Sequence, residues 1–122
     1  MWKIIAVTSG GGIGALFRYL LFTAVHRAAP VSFPYGTLAV NLTGAFLIGY
    51  LWALFEGTRL LGEWRLFIFT GLLGGFTTFS TFTREAAQLI RIEDYKTAAL
   101  YMLISNIAGI MLVFSGYFLA RK

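Results

Sequence analysis

Gly71-Leu72-Leu73-Gly74-Gly75-Phe76-Thr77-Thr78-Phe79-Ser80-Thr81-Phe82-Thr83 is an uncharged run packed with glycine, hydroxyls and phenylalanine. Hydroxyls are costly in a soluble core when they lack partners, and a helix that only faces lipid has little use for them. The run therefore reads as a membrane segment that lines something. Two adjacent glycines among β-branched threonines make a poor helix interior, so a break is expected at Gly74-Gly75. A break at that depth frees backbone carbonyls and amides, which are tolerated only where protein, water or ions satisfy them.

The rest of the chain agrees with a membrane setting. Its 122 residues are 58% hydrophobic and 12% charged, against roughly 25% charged in an ordinary soluble domain, and the mean hydropathy is +0.77. Spans of about 20 residues each use nearly all of this length, so the expectation is one all-α membrane domain, residues 1–122, with four transmembrane helices. The absence of cysteine excludes disulfides, thiolate metal sites and cysteine nucleophiles. The hydrophobic pattern runs through Ala15 to Val25 without a cleavage site, so no cleaved signal is read. The net charge of +5 is spread along the loops. It suits phospholipid headgroups better than nucleic acid, which wants a concentrated basic face.

The expected spans are approximately residues 4–25, 36–55, 66–90 and 97–120, the third broken near its middle. In the first, Gly10-Gly11-Gly12-Ile13-Gly14-Ala15 imitates a dinucleotide-binding turn. The acid expected about 20 residues later is missing, since the first acid of the chain is Glu56. Gly10 and Gly14 read instead as a G-x-x-x-G face for close helix packing, with Arg18 one turn further on that face. Arg18 either snorkels to the interface or faces water. In the second span Thr37 and Asn41 share a face, and an intramembrane Asn needs a partner; interhelical bonding is the plainest one. In the fourth, Tyr101 and Ser105 are one turn apart and suggest a polar track, while Gly109 and Gly116 suggest a packing stripe.

Orientation is nearly undecided by charge. Lys3, Arg59, Arg65, Arg121 and Lys122 fall on one side, and Arg27, Arg84, Arg91 and Lys96 on the other. Five against four leaves the rule that Lys and Arg stay cytoplasmic almost without force. Either a weak bias orients the chain, or it inserts both ways and an antiparallel pair is the functional unit.

No enzyme constellation is visible. His26 is the one histidine and has no carboxylate in its span to orient it, and no serine or threonine has an evident base. Transport remains, and every acid is placed at a helix end or in a loop, which disfavours a proton-coupled exporter. Phe79 and Phe82, at i and i+3, project from one side of their helix. Ring edges, hydroxyl hydrogens and amide hydrogens all carry partial positive charge, so a small hard anion passes along them without meeting a full charge that would trap it. Plain core packing is the competing account of the two rings.

Three stretches together resemble the Fluc, or CrcB, family of fluoride channels: Gly11-Gly12-Ile13-Gly14-Ala15-Leu16-Phe17-Arg18-Tyr19, Gly36-Thr37-Leu38-Ala39-Val40-Asn41-Leu42-Thr43-Gly44 and Gly74-Gly75-Phe76-Thr77-Thr78-Phe79-Ser80-Thr81-Phe82. The resemblance implies a bacterial inner-membrane, multi-pass protein that acts as an antiparallel dual-topology homodimer with two fluoride pores, giving passive efflux and fluoride resistance. It implies that Phe79 and Phe82 face the permeating ion, that Asn41 contacts it, that Ser80 and Thr81 add hydroxyls, and that Tyr101 and Ser105 form a polar track. It also implies that Arg18 acts on vestibule electrostatics, and that the Gly74 and Thr77 carbonyls hold a structural sodium ion (Na+) that is not transported. A small dual-topology multidrug exporter and a non-transporting membrane subunit are the alternatives.

Overall fold

The computed structural model describes residues 1–57 and 62–121; Arg59 and Lys122, two of the charges counted above, lie outside them. Every regular element is helical. Helix α1 is Trp2–Ala28 and α2 is Tyr35–Phe55. The third span begins as α3, Gly62–Arg65, continues as a π segment over Leu66–Leu73, and tightens to α4, Gly74–Phe76. After a two-residue interruption it resumes as α5, Phe79–Arg91, and α6 is Tyr95–Ala120. Four stretches, Trp2–Ala28, Tyr35–Phe55, Gly62–Arg91 and Tyr95–Ala120, are long and apolar enough to cross a membrane.

In lipid there is no hydrophobic drive to join helices, so close backbone approach through small residues has to supply the packing. Two such seams organise the bundle. On the first, α1 lies against the π segment and α4: a Cβ on Gly10 would run into the Phe67 carbonyl, and one on Gly14 into the Leu72 carbonyl. On the second, α2 lies along α6, where a Cβ on Gly49 would meet the Val113 carbonyl and one on Gly116 the Phe46 carbonyl. Gly109, expected to share a stripe with Gly116, has nothing within 4 Å of its missing side chain. The partner of Gly116 is on α2, because the seam runs between helices and not along one.

The outer faces stay apolar. Leu16, Phe17 and Leu20 on α1, and Leu103, Ile107, Ile110 and Phe114 on α6, are exposed, as lipid-facing residues must be. Asp94 accepts the Thr97 amide at 3.2 Å to start α6.

The first seam makes a direct prediction. Gly14→Ala should lower the unfolding midpoint of the detergent-solubilised protein by the equivalent of about 1–3 kcal/mol, the usual range for overpacking. Gly12→Ala, with open space at its position, should leave the midpoint unchanged or raised. Equal effects of the two substitutions would remove the seam.

Candidate functional site

The interruption of the third span falls at Thr77-Thr78, not at the glycine pair. Gly74 and Gly75 are helical, whereas Thr77 (φ −81°, ψ 159°) and Thr78 (φ −146°, ψ 114°) are extended. Gly75 serves a different purpose: a Cβ there would approach the Gly11 carbonyl to 2.5 Å, so it keeps the α1 seam closed. Threonine suits the break for two reasons. Its β-branched side chain is at ease in extended backbone, and its hydroxyl replaces lost helical partners. Thr77 Oγ1 donates to Leu73 O at 3.0 Å, and Thr78 Oγ1 accepts from the Thr81 amide at 3.2 Å, capping α5.

Asn41 closes the gap from α2. Its Nδ2 donates to the Thr78 carbonyl at 3.0 Å, and its Oδ1 accepts the Thr78 amide at 2.8 Å. The side-chain amide thus pairs with one extended residue as a neighbouring β-strand would. One Nδ2 hydrogen is left over from this two-point clamp. Asn41 also lines a cavity of about 390 Å³ with Phe69, Gly74, Thr77, Thr78 and Phe79.

Diverting these amides releases two carbonyls. The Thr78 amide goes to Asn41 instead of Gly74 O, and the Thr81 amide goes to Thr78 Oγ1 instead of Thr77 O. Carbonyl oxygens are hard donors suited to a small hard cation, and no group of three or more His, Cys, Asp or Glu among the described residues offers a metal cage. The Gly74 and Thr77 carbonyls are donors of that kind, and Thr77 O already accepts from the Arg18 guanidinium. Arg18 faces the same place, with Nη1 3.4 Å from Thr77 O. It reaches inward to the break instead of snorkelling out.

Beyond the break the hydroxyls form a chain. Thr78 Oγ1 contacts Ser80 Oγ at 3.3 Å and Thr81 Oγ1 at 3.0 Å. The Phe79 and Phe82 ring centroids are 5.8 Å apart with planes at 42°. The two rings differ in setting: Phe79 is 77% exposed, while Phe82 is half-buried and meets the buried Tyr101 ring edge-on at 5.1 Å. One turn further along α6, Ser105 Oγ is a buried side-chain oxygen without a hydrogen-bond partner among the described residues.

The sequence pattern did not reveal Glu85. Its position toward the end of the third span suggested an interfacial acid, yet its carboxylate is drawn inward. Oε1 accepts from Thr37 Oγ1 and Oε2 from Tyr101 Oη, both at 2.8 Å. A charge in this setting needs such partners. The available signal was the spacing of Phe82 and Glu85, which puts both on one face of α5, together with hydroxyls on α2 and α6 able to converge there. The Tyr101 hydroxyl hydrogen is consequently engaged, and what Tyr101 presents to Phe82 is its ring.

The site predicts a stability effect separable from flux. Asn41→Ala leaves the Thr78 amide and carbonyl unpaired in hydrocarbon, at a cost of about 1–3 kcal/mol for a buried unsatisfied group. A detergent-unfolding midpoint as high as that of the parent protein would show that the clamp is dispensable.

Comparison with known proteins places the chain. A family model described as CrcB-like protein, Camphor Resistance (CrcB), matches residues 5–117. A protein of Parabacteroides distasonis is 43% identical over 100% of this chain and 95% of its own length. Another, from Agrobacterium fabrum, is 46% identical over 100% and 98%, and one from a Hydrogenobaculum species is 47% identical over 94% of each. All three carry the name fluoride-specific ion channel FluC.

Proposed function

The chain belongs to the CrcB-like family, and we propose that it is a fluoride-specific ion channel of the bacterial membrane through which fluoride leaves the cell passively, conferring resistance. The observation that carries the reading beyond the relatives is the arrangement past the break. The Ser80 and Thr81 hydroxyls meet at Thr78 and the rings of Phe79 and Phe82 pair beside them, which supports a route for the ion past these groups toward the unpartnered Ser105 hydroxyl. Conduction needs sites attractive enough to strip water from the ion and weak enough to release it. Partial charges on ring edges and O–H groups meet both needs, whereas a lysine at the same depth would hold the anion.

The spare Nδ2 hydrogen of Asn41 is the amide contact in this scheme, and Arg18 supplies positive potential on the other side of the break. The exposure of Phe79 in a single chain supports a pore completed by a second copy. With charge nearly balanced between the two sides, that copy is antiparallel, and the dimer carries two pores. The released Gly74 and Thr77 carbonyls, meeting their mates across the dimer axis, would hold sodium as a structural ion. Such an ion would offset the carbonyl dipoles where they meet and would stay in place while the anion passes.

Glu85 gives the exporter reading the intramembrane carboxylate that its chemistry requires. One of its two hydroxyl partners, Tyr101, however, belongs to the same residue set as the anion route. The assay that separates the two readings is flux from liposomes. Purified protein should release fluoride and not chloride down an imposed gradient; proton-driven uptake of an organic cation without fluoride release would favour the exporter.

Two further outcomes are expected. Phe79→Ala and Phe82→Ala should each reduce fluoride flux at least about tenfold, a loss of about 1.4 kcal/mol or more from the permeation barrier, without changing the size of the purified particle. Undiminished flux in both would return the rings to plain packing. Exchange of sodium for N-methylglucamine should lower the unfolding midpoint, since a ligand that binds only the folded form stabilises it, and an unaltered midpoint would dismiss the ion.

A further inference from the structure

A second cavity, of about 480 Å³, opens where α1, the connection to α2 and the end of α5 meet. Its wall includes His26 and Phe22 from α1, Arg84, Glu85 and Gln88 from α5, and Asp94 from the turn before α6. The His26 ring stacks on Phe22, with centroids 5.5 Å apart and planes at 10°, and it is exposed.

This outer cavity adjoins a smaller one at Phe22. Phe22 is shared with an inner cavity of about 280 Å³ that holds Arg18, Thr37, Thr78 and Thr81. Glu85 stands in the outer wall and takes its hydrogen bond from Thr37 in the inner one. The two cavities thus meet at Phe22 and at the Glu85–Thr37 pair.

The charge of the outer wall depends on one residue. Arg84 is a single cation against the two carboxylates of Glu85 and Asp94, so the wall is net negative while His26 is neutral and balanced once it is protonated. The connecting loop adds Ser32 but no charge, and α2 contributes Gly36. Arg27, Arg91, Glu93, Lys96 and Tyr95 lie exposed around this end, where solvent and salt screen them. Tyr101 faces Glu85 from α6 and donates to it. Histidine is the side chain whose charge changes between about pH 5 and 8.

We propose that this cavity is the anion's entrance, and that protonation of His26 governs how readily fluoride enters. The inference rests on the fluoride-channel reading. Adding one positive charge several ångströms from the entering ion, in a wet cavity, raises its local concentration about two- to fourfold. Flux limited by entry rises by the same factor as pH falls.

The test is fluoride efflux from liposomes at about pH 8 and about pH 5.5, on either side of histidine titration. Protein-free vesicles at each pH give the background from neutral hydrogen fluoride, which is subtracted. The parent protein should run about two- to fourfold faster at the lower pH. His26→Gln should show one rate at both values, and His26→Arg the faster rate at both. A parent protein that conducts fluoride equally at the two pH values, or a His26→Gln variant that keeps the full pH response, overturns the role of His26 and leaves the channel reading standing. Absence of fluoride efflux from the parent protein at either pH overturns the channel reading, and this inference with it.

Discussion

The two hydrogen bonds between the Asn41 side chain and the backbone of Thr78 are the constraint on which the site depends. A transmembrane helix satisfies its backbone internally, and two extended residues inside hydrocarbon break that rule. The clamp restores both partners of Thr78 from a neighbouring helix. The ladder is then free to stop there, and α5 starts afresh with Thr78 as its cap. Everything functional follows from where that new helix begins: the phase of Phe79, Ser80, Thr81 and Phe82, the facing of Glu85, and the two carbonyls left without amide partners.

The clamp works because the backbones are held close. Gly10, Gly14 and Gly75 let α1 sit directly on the third span, and Gly49 and Gly116 bring α2 and α6 together. Each seam removes side chains from the contact, so the polar groups of three helices meet within hydrogen-bonding range. Thr37 on α2 and Tyr101 on α6 both reach Glu85 on α5 for this reason. Close packing also supports function: a looser bundle would leave those hydroxyls to water or to one another.

Legibility differs between fold and site. Spans and their number follow from the density of apolar residues, because crossing a bilayer requires about 20 of them in a row. The candidate residues Asn41, Phe79, Ser80, Thr81, Phe82 and Tyr101 are brought into one contiguous group, and their types already indicated partial positive charge without full charge. The break lies at Thr77-Thr78 and not at the expected Gly74-Gly75, since glycine marks both a weak helix and a close contact. The eight-residue π segment before it follows an i→i+5 ladder, so a 3.6-residue period does not carry through the span. Glu85 was assigned to the interface because linear position says nothing about which way a side chain turns.

By itself the sequence determined the membrane setting, the helical class, the Gly10–Gly14 packing face and the chemistry available inside the bilayer, since these depend only on composition and on local periodicity. The tertiary structure decided which backbone amides were diverted, where the helix broke, and that Glu85 and Arg18 turned inward. Those outcomes depend on donors and acceptors far apart in the chain, such as Asn41 and Thr78, or Tyr101 and Glu85. A hydrogen bond between them exists only once the helices have packed close enough to form it.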